Sequence, residues 1–167
     1  YRALLNLGQS LRGEGMPVPT LDLGGGVGVN YDDGSATDFT DYGALVQRIF
    51  KGTGFNLGFE PGRAIVANNG VLLSEVIFVK QGDNKRFVIV DDAMNDLLRP
   101  TLYEAYHNIE PLSDHGPATG FADIVGPVCE TGDYLGKQRK MPDLTTGDRI
   151  VVMSAGAYGA VMASSYN

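Results

Sequence analysis

The periodicity of the apolar residues changes near Gly70, and that change limits the chain to an α/β part followed by a β part. Before it, Tyr1 to Glu14 places Leu4, Leu5, Leu7 and Leu11 at helical spacings, and the short strand-like run "PTLDLGGG" follows the Gly15 to Pro19 turn. Residues 38–51, "DFTDYGALVQRIFK", repeat the order, with Tyr42, Leu45, Val46 and Ile49 on one helical face ahead of "FNLGFEPGR" at 55–63. Two such helix, strand and loop units in succession predict the βα repeat of an α/β sheet or barrel, whose strand C-terminal ends carry the binding loops. From Val71 onward, "VLLSEVIFVKQ" and "RFVIVDD" flank the turn "GDNK", and "DRIVVMSAG" is a further β-branched run. The second part is therefore expected to be a mainly antiparallel β domain, with 1–70 and 71–167 as the two domains.

Charge and composition remove several function classes. A formal charge of −7 without a Lys/Arg cluster argues against an unspecific nucleic-acid partner. No apolar run approaches the roughly 18 residues that span a bilayer, and no basic-then-apolar leader is present, so no membrane association is expected. The one cysteine cannot form an internal disulfide, which favours a reducing, cytoplasmic setting.

Four stretches carry chemistry. In "LDLGGGVGV" the glycines Gly24 to Gly26 follow a strand, where backbone N–H groups free of Cβ atoms can approach an anion. A plain tight turn is the competing reading. The dinucleotide fingerprint fits poorly, because its third glycine position falls on Val29 and "NYDDGS" follows instead of a helix. "EPGR" at 60–63 also closes a strand and would lie on the same rim; alternatively it is a β-turn at Pro61 flanked by an exposed ion pair of Glu60 and Arg63. In "DDAMNDLLRPTLYEAYHNI", Arg99 precedes Pro100, a residue that tends to end regular structure, with Tyr103 and Tyr106 just beyond. An arginine on such a corner can make a two-pronged contact with a carboxylate, or simply a surface ion pair. His107 and His115 lack metal-ligand spacing and read as ordinary polar residues, so no metal is expected.

The lone Cys129 lies in "GPVCETGDYLG" at 126–136, a stretch too polar and glycine-rich for a core strand. A thiol beside a carboxylate is expected to keep its proton at neutral pH, which suits a proton donor and not a papain-type nucleophile. A buried, inert cysteine on a β-domain loop is the alternative.

Taken together, "LDLGGGVGVNY", "EPGR", "DDAMNDLLRPTLYEAYHNI", "GPVCETGD" and "SAGAYGAVMASSYN" resemble, in the same order and over nearly the whole chain, the diaminopimelate decarboxylases. The glycine and "EPGR" motifs are shared with ornithine and arginine decarboxylases, whereas "MNDLLRPTLYEAYH" with "CETGD" points to diaminopimelate. The resemblance implies a fold of type III, in which a (β/α)₈ TIM-type barrel binds pyridoxal 5'-phosphate and an alanine racemase/ornithine decarboxylase-like C-terminal β domain completes the site in a homodimer. It implies decarboxylation of meso-2,6-diaminopimelate to L-lysine, the last step of lysine biosynthesis.

By the same resemblance, Gly25, Gly26, Gly62 and Arg63 would cradle the cofactor phosphate, and Glu60 would face the pyridine nitrogen. Arg63 and Arg99 would pair with phosphate or substrate carboxylates, Tyr103 would hydrogen-bond the substrate and Glu130 would take its distal ammonium. Cys129, from the second subunit, would return a proton to the α-carbon, and Tyr158 would touch cofactor and substrate. The family's cofactor-binding lysine and ring-stacking histidine are not found: Lys51, Lys80, Lys85, Lys137 and Lys140 lie in helix ends or polar turns. The chain is accordingly expected to be a C-terminal portion, inactive alone. An ornithine- or arginine-type fragment, and a non-catalytic phosphate-binding or dimerisation module, are the alternatives.

Overall fold

A computed structural model describes residues 1–35 and 38–167 and divides them into two compact units. The first comprises Tyr1–Gly28 and Ala36–Ala64, the second Val29–Ser35 and Ile65–Asn167. Val29–Ser35, which sequence reading assigns to the first part, thus packs with the second.

In the first unit, α1 (Arg2–Gly13) leads to β1 (Thr20–Asp22), and α2 (Phe39–Phe50) leads to β2 (Asn56–Gly58). The two strands pair in parallel with Leu21 opposite Leu57. Asp38 starts α2 by accepting from the Thr40 amide at 2.7 Å, which satisfies one of the orphan donors of a helix N-terminus. Leu21, Leu23, Val46 and Phe50 form the core, and Leu4, Leu5, Val18, Tyr42, Ile49, Phe55 and Leu57 pack around it. The stripe on α1 departs from expectation at one place. Leu7 is exposed and Gly8 is the buried residue, packed so closely under Leu21 and the Phe55 ring that a Cβ there would stand 3.0 Å from each. Arg12 ties α1 to the two loops below it, donating to the carbonyls of Val18, Thr53 and Gly54 with its guanidinium over the Phe55 ring.

A short helix α3 (Gly62–Val66) and a 3₁₀ turn lead into the second unit, a six-stranded sheet of order β5-β8-β3-β4-β6-β7. Its strands are β3 (Leu72–Gln81), β4 (Arg86–Val90), β5 (Ile109–Pro111), β6 (Gly120–Val125), β7 (Tyr134–Met141) and β8 (Arg149–Val152), with helix α4 (Arg99–Tyr103) between β4 and β5. The expected hairpin at "GDNK" is present: Gly82 N donates to Lys85 O at 2.8 Å between β3 and β4. Within this sheet all strand pairs are antiparallel except β4 with β6. The alternating rows Val76, Val88, Val90, Ile124, Leu135, Met141, Ile150 and Val152 meet in one core with Leu97 and Ile109.

Three strands escape a reading of β-branched runs. β5 is short and contains Pro111, β6 opens on glycine, and β7 ("YLGKQRKM") carries four polar residues in its middle. Only pairing with already apolar neighbours makes them strands, which is why context outranks intrinsic propensity here. The polar stretch 126–136 is accordingly loop through Asp133 and strand only from Tyr134, with Leu135 and Gly136 buried at the start of β7. Pro100 also corrects expectation. It lies in the first turn of α4, where a missing N–H costs nothing, so the Arg99–Pro100 pair begins a helix instead of ending one.

Candidate functional site

The glycine loop and the "EPGR" loop of the first unit meet. Glu60 N donates to Gly24 O at 2.9 Å, extending the β1–β2 pairing past the strand ends. A Cβ built on Gly25 would stand 2.2 Å from Glu60 O, so the two loops touch backbone to backbone and position 25 admits glycine alone. Gly24 and Gly26 have φ of +68° and +79° and face open space. Asp22 Oδ1 holds the turn by accepting from Gly24 N at 2.7 Å. Among the described residues, the amides of Gly25 and Gly26 make no hydrogen bond.

Across from them, Pro61 occupies an inverse γ-turn, not a β-turn: Gly62 N donates to Glu60 O at 2.8 Å. The expected ion pair between Glu60 and Arg63 is absent among the described residues, leaving a free carboxylate and a free guanidinium on the loop. Beside Gly24 opens an apolar recess of about 380 Å³, lined by Phe39, Tyr42, Gly43, Val46, Phe59 and Pro61. Unpaired amides and an unpaired cation offer an anion a seat, and the carboxylate and apolar wall suit a heterocycle attached to it.

The second unit holds Arg99, Tyr103, Cys129, Glu130 and Tyr158. Arg99 is 8% exposed at the start of α4, with its guanidinium 4.5 Å from the Tyr31 ring centroid and its Nη1 2.7 Å from His107 Nε2. Tyr103, at the last turn of the same helix, is 64% exposed, and the left-handed Glu104 that caps the helix turns the chain away behind it. His107, expected to be an ordinary polar residue, is instead completely buried, with Nδ1 2.9 Å from Met153 O and the Tyr31 ring edge-on at 5.0 Å. Burial lowers its pKa, and the charges of Arg99 and Arg139 press in the same direction against the Met153 carbonyl.

Cys129 is free and exposed, not buried as one reading of the sequence had it. Its loop is built by a residue to which sequence reading assigned no role. The buried Asp133 accepts from Met94 N through Oδ1 and from Val128 N through Oδ2, both at 2.7 Å. A Cβ on Gly126 would collide with both carboxylate oxygens, so Gly126 and Asp133 are matched. Glu130 receives a hydrogen bond at Oε1 from the Tyr166 hydroxyl. The same loop borders a recess of about 600 Å³ lined by Val128, Glu130, Asp133, Tyr134, Lys80 and Lys137, among others. Tyr158 has φ +61°, rare for a bulky residue, and is exposed. Sequence reasoning misread His107 and assigned no role to Asp133, Tyr31 or Tyr166; of these only Asp133, directly after a glycine in a polar loop, carries a local signature of backbone capping.

Residues 28–156 match the C-terminal sheet domain of pyridoxal-dependent decarboxylases. The chain belongs to that family. It is 51% identical over 164 residues to a diaminopimelate decarboxylase of Neisseria meningitidis serogroup B, a match covering 98% of this chain and 39% of the relative. Among solved structures, diaminopimelate decarboxylase from Helicobacter pylori complexed with L-lysine aligns with a TM-score of 0.92 at 40% identity, covering 99% of this chain and 41% of that one. A structure from Aquifex aeolicus aligns with a TM-score of 0.94, also at 40% identity, covering 99% and 41%. The chain thus spans about two fifths of the length of the decarboxylases it matches. The sheet of the second unit is the β domain of this decarboxylase family, and the β part expected from sequence is borne out.

Proposed function

We propose that this chain is the C-terminal part of a pyridoxal-phosphate-dependent decarboxylase that converts meso-2,6-diaminopimelate to L-lysine, working as a cytoplasmic homodimer whose site is shared between subunits. The carrying observation is the 51% identity to a diaminopimelate decarboxylase over 98% of the chain. The two helix and strand units before residue 70 are then the end of a (β/α)₈ barrel.

The residues present fit the cofactor. The bare amides of Gly25 and Gly26 and the unpaired Arg63 would hold its phosphate with the Gly62 backbone, and the unpaired Glu60 carboxylate would hold a proton on its pyridine nitrogen. When bound, pyridoxal phosphate supplies an electron sink for the pair left behind by departing carbon dioxide. This chain's own residues do the rest. Arg99 would grip a substrate carboxylate, and Tyr103 stands exposed for a hydrogen bond to the substrate. Glu130 receives Tyr166 on one oxygen, which leaves the other for the ammonium at the unreactive end of diaminopimelate. Holding that end presents the opposite amino acid group for reaction. The exposed Cys129 thiol, from the second subunit, would deliver a proton to the α-carbon, and the exposed Tyr158 would lie against cofactor and substrate.

A substrate panel on the full-length protein tests this. Carbon dioxide release from meso-diaminopimelate, well above that from ornithine, arginine or lysine, is expected. Preference for ornithine or arginine would replace the reading with the other branch of the family.

A further inference from the structure

His107 is a completely buried titratable side chain just ahead of β5, and its hydrogen bonds have a defined polarity. An arginine has no acceptor, so Arg99 Nη1 must donate at 2.7 Å and His107 Nε2 must accept. A carbonyl has no donor, so Nδ1 must carry the proton given to Met153 O at 2.9 Å. Met153 lies just past β8, and its own amide donates to Asn108 O at 2.8 Å, which ties the histidine segment to the edge of the sheet. Tyr31 closes the arrangement: its ring lies edge-on to the imidazole at 5.0 Å and under the guanidinium at 4.5 Å, and its carbonyl accepts from Asn108 N at 3.1 Å. Arg99 is therefore gripped on one edge and one face, and its remaining N–H groups have no partner among the described residues.

We infer that His107 is a positioning residue: as a neutral Nδ1–H imidazole it accepts from Arg99 and fixes the guanidinium plane in the orientation that receives a substrate carboxylate. This rests on the reading of Arg99 as a carboxylate-binding residue. A protonated imidazole would present a donor to a donor and release the arginine, and a guanidinium free to rotate loses most of the advantage of a planar fork.

The full-length enzyme tests it through steady-state kinetics on meso-diaminopimelate. His107→Asn, which keeps the donor to Met153 but removes the acceptor, should raise KM about tenfold or more with kcat little changed, the scale of one hydrogen bond to a charged group. His107→Gln, whose Oε1 can take the place of Nε2, should restore KM to within a few fold. In an Arg99→Ala background, His107→Asn should add nothing further. A ring ¹⁵N spectrum of the unmutated enzyme should show Nδ1 protonated and Nε2 bare at pH 7, a readout independent of how the variants fold. Arg99→Ala raising KM while His107→Asn leaves it unchanged overturns the positioning role alone. A flat response to Arg99→Ala overturns the underlying reading as well. His107→Gln failing as His107→Asn does, or an Nε2–H tautomer, also overturns the inference.

Discussion

Asp133 should hold the Cys129 loop in place, and the structure supplies the size of the effect. Its carboxylate accepts two main-chain N–H groups, Met94 and Val128, at 2.7 Å each, and the residue is 4% exposed. A hydrogen bond to a charged acceptor contributes about 1.5–3 kcal/mol net, so Asp133→Ala should cost about 3–6 kcal/mol of local stability. Asp133→Asn keeps one acceptor and turns a donor toward the other N–H, which should cost about 2–3 kcal/mol. Because roughly 1.4 kcal/mol is a factor of ten, amide exchange in the peptides around Met94 and Val128 should quicken by about a hundredfold or more in the alanine variant. Hydrogen exchange read by mass spectrometry on the full-length protein measures both segments at once. Exchange within threefold of the unmutated protein in both segments, or an asparagine variant as loose as the alanine one, would refute the view that this carboxylate organises the loop.

Other outcomes follow from the same geometry. Since burial lowers the pKa of His107, the unfolded chain takes up its proton near pH 6.5 while the folded chain does not, so stability falls as pH drops below about 6.5, by at most about 1.4 kcal/mol per pH unit from this group. Melting curves between pH 7.5 and 5 should show that slope, and His107→Gln should flatten it; Asp91 and Asp123, whose pKa values lie below 3.8, act only in stronger acid. Gly25→Ala places a Cβ against Glu60 O and should destabilise the loop pair by about 1–3 kcal/mol, with weaker pyridoxal phosphate binding seen by calorimetry. Cys129→Ala in the full-length enzyme should slow turnover far more than it weakens cofactor binding, and equal loss of both would indicate a structural cysteine. The 167-residue chain alone should release no carbon dioxide from meso-diaminopimelate above the free-cofactor background, because none of its lysines lies in a cofactor motif.

Much of this protein was readable without coordinates where local chemistry acts alone. The helical faces of α1 and α2, the turn between β3 and β4, and the glycine and "EPGR" loops announce themselves because spacing, turn residues and missing side chains are properties of neighbours along the chain. Leu7 shows the limit even there: a periodic leucine is left in solvent while Gly8 packs under Leu21 and Phe55, which are distant in sequence. Strands β5, β6 and β7 were decided by pairing partners, since nothing in "YLGKQRKM" alone separates a strand from a polar loop. The same holds for the chemistry. Arg99 stood out as a candidate for carboxylate binding from its motif, but only folding put His107, Tyr31 and the Met153 carbonyl around it. A side chain's type is set by the sequence, whereas its protonation state and orientation depend on which distant groups desolvate it and share its hydrogen bonds, and those are set in three dimensions.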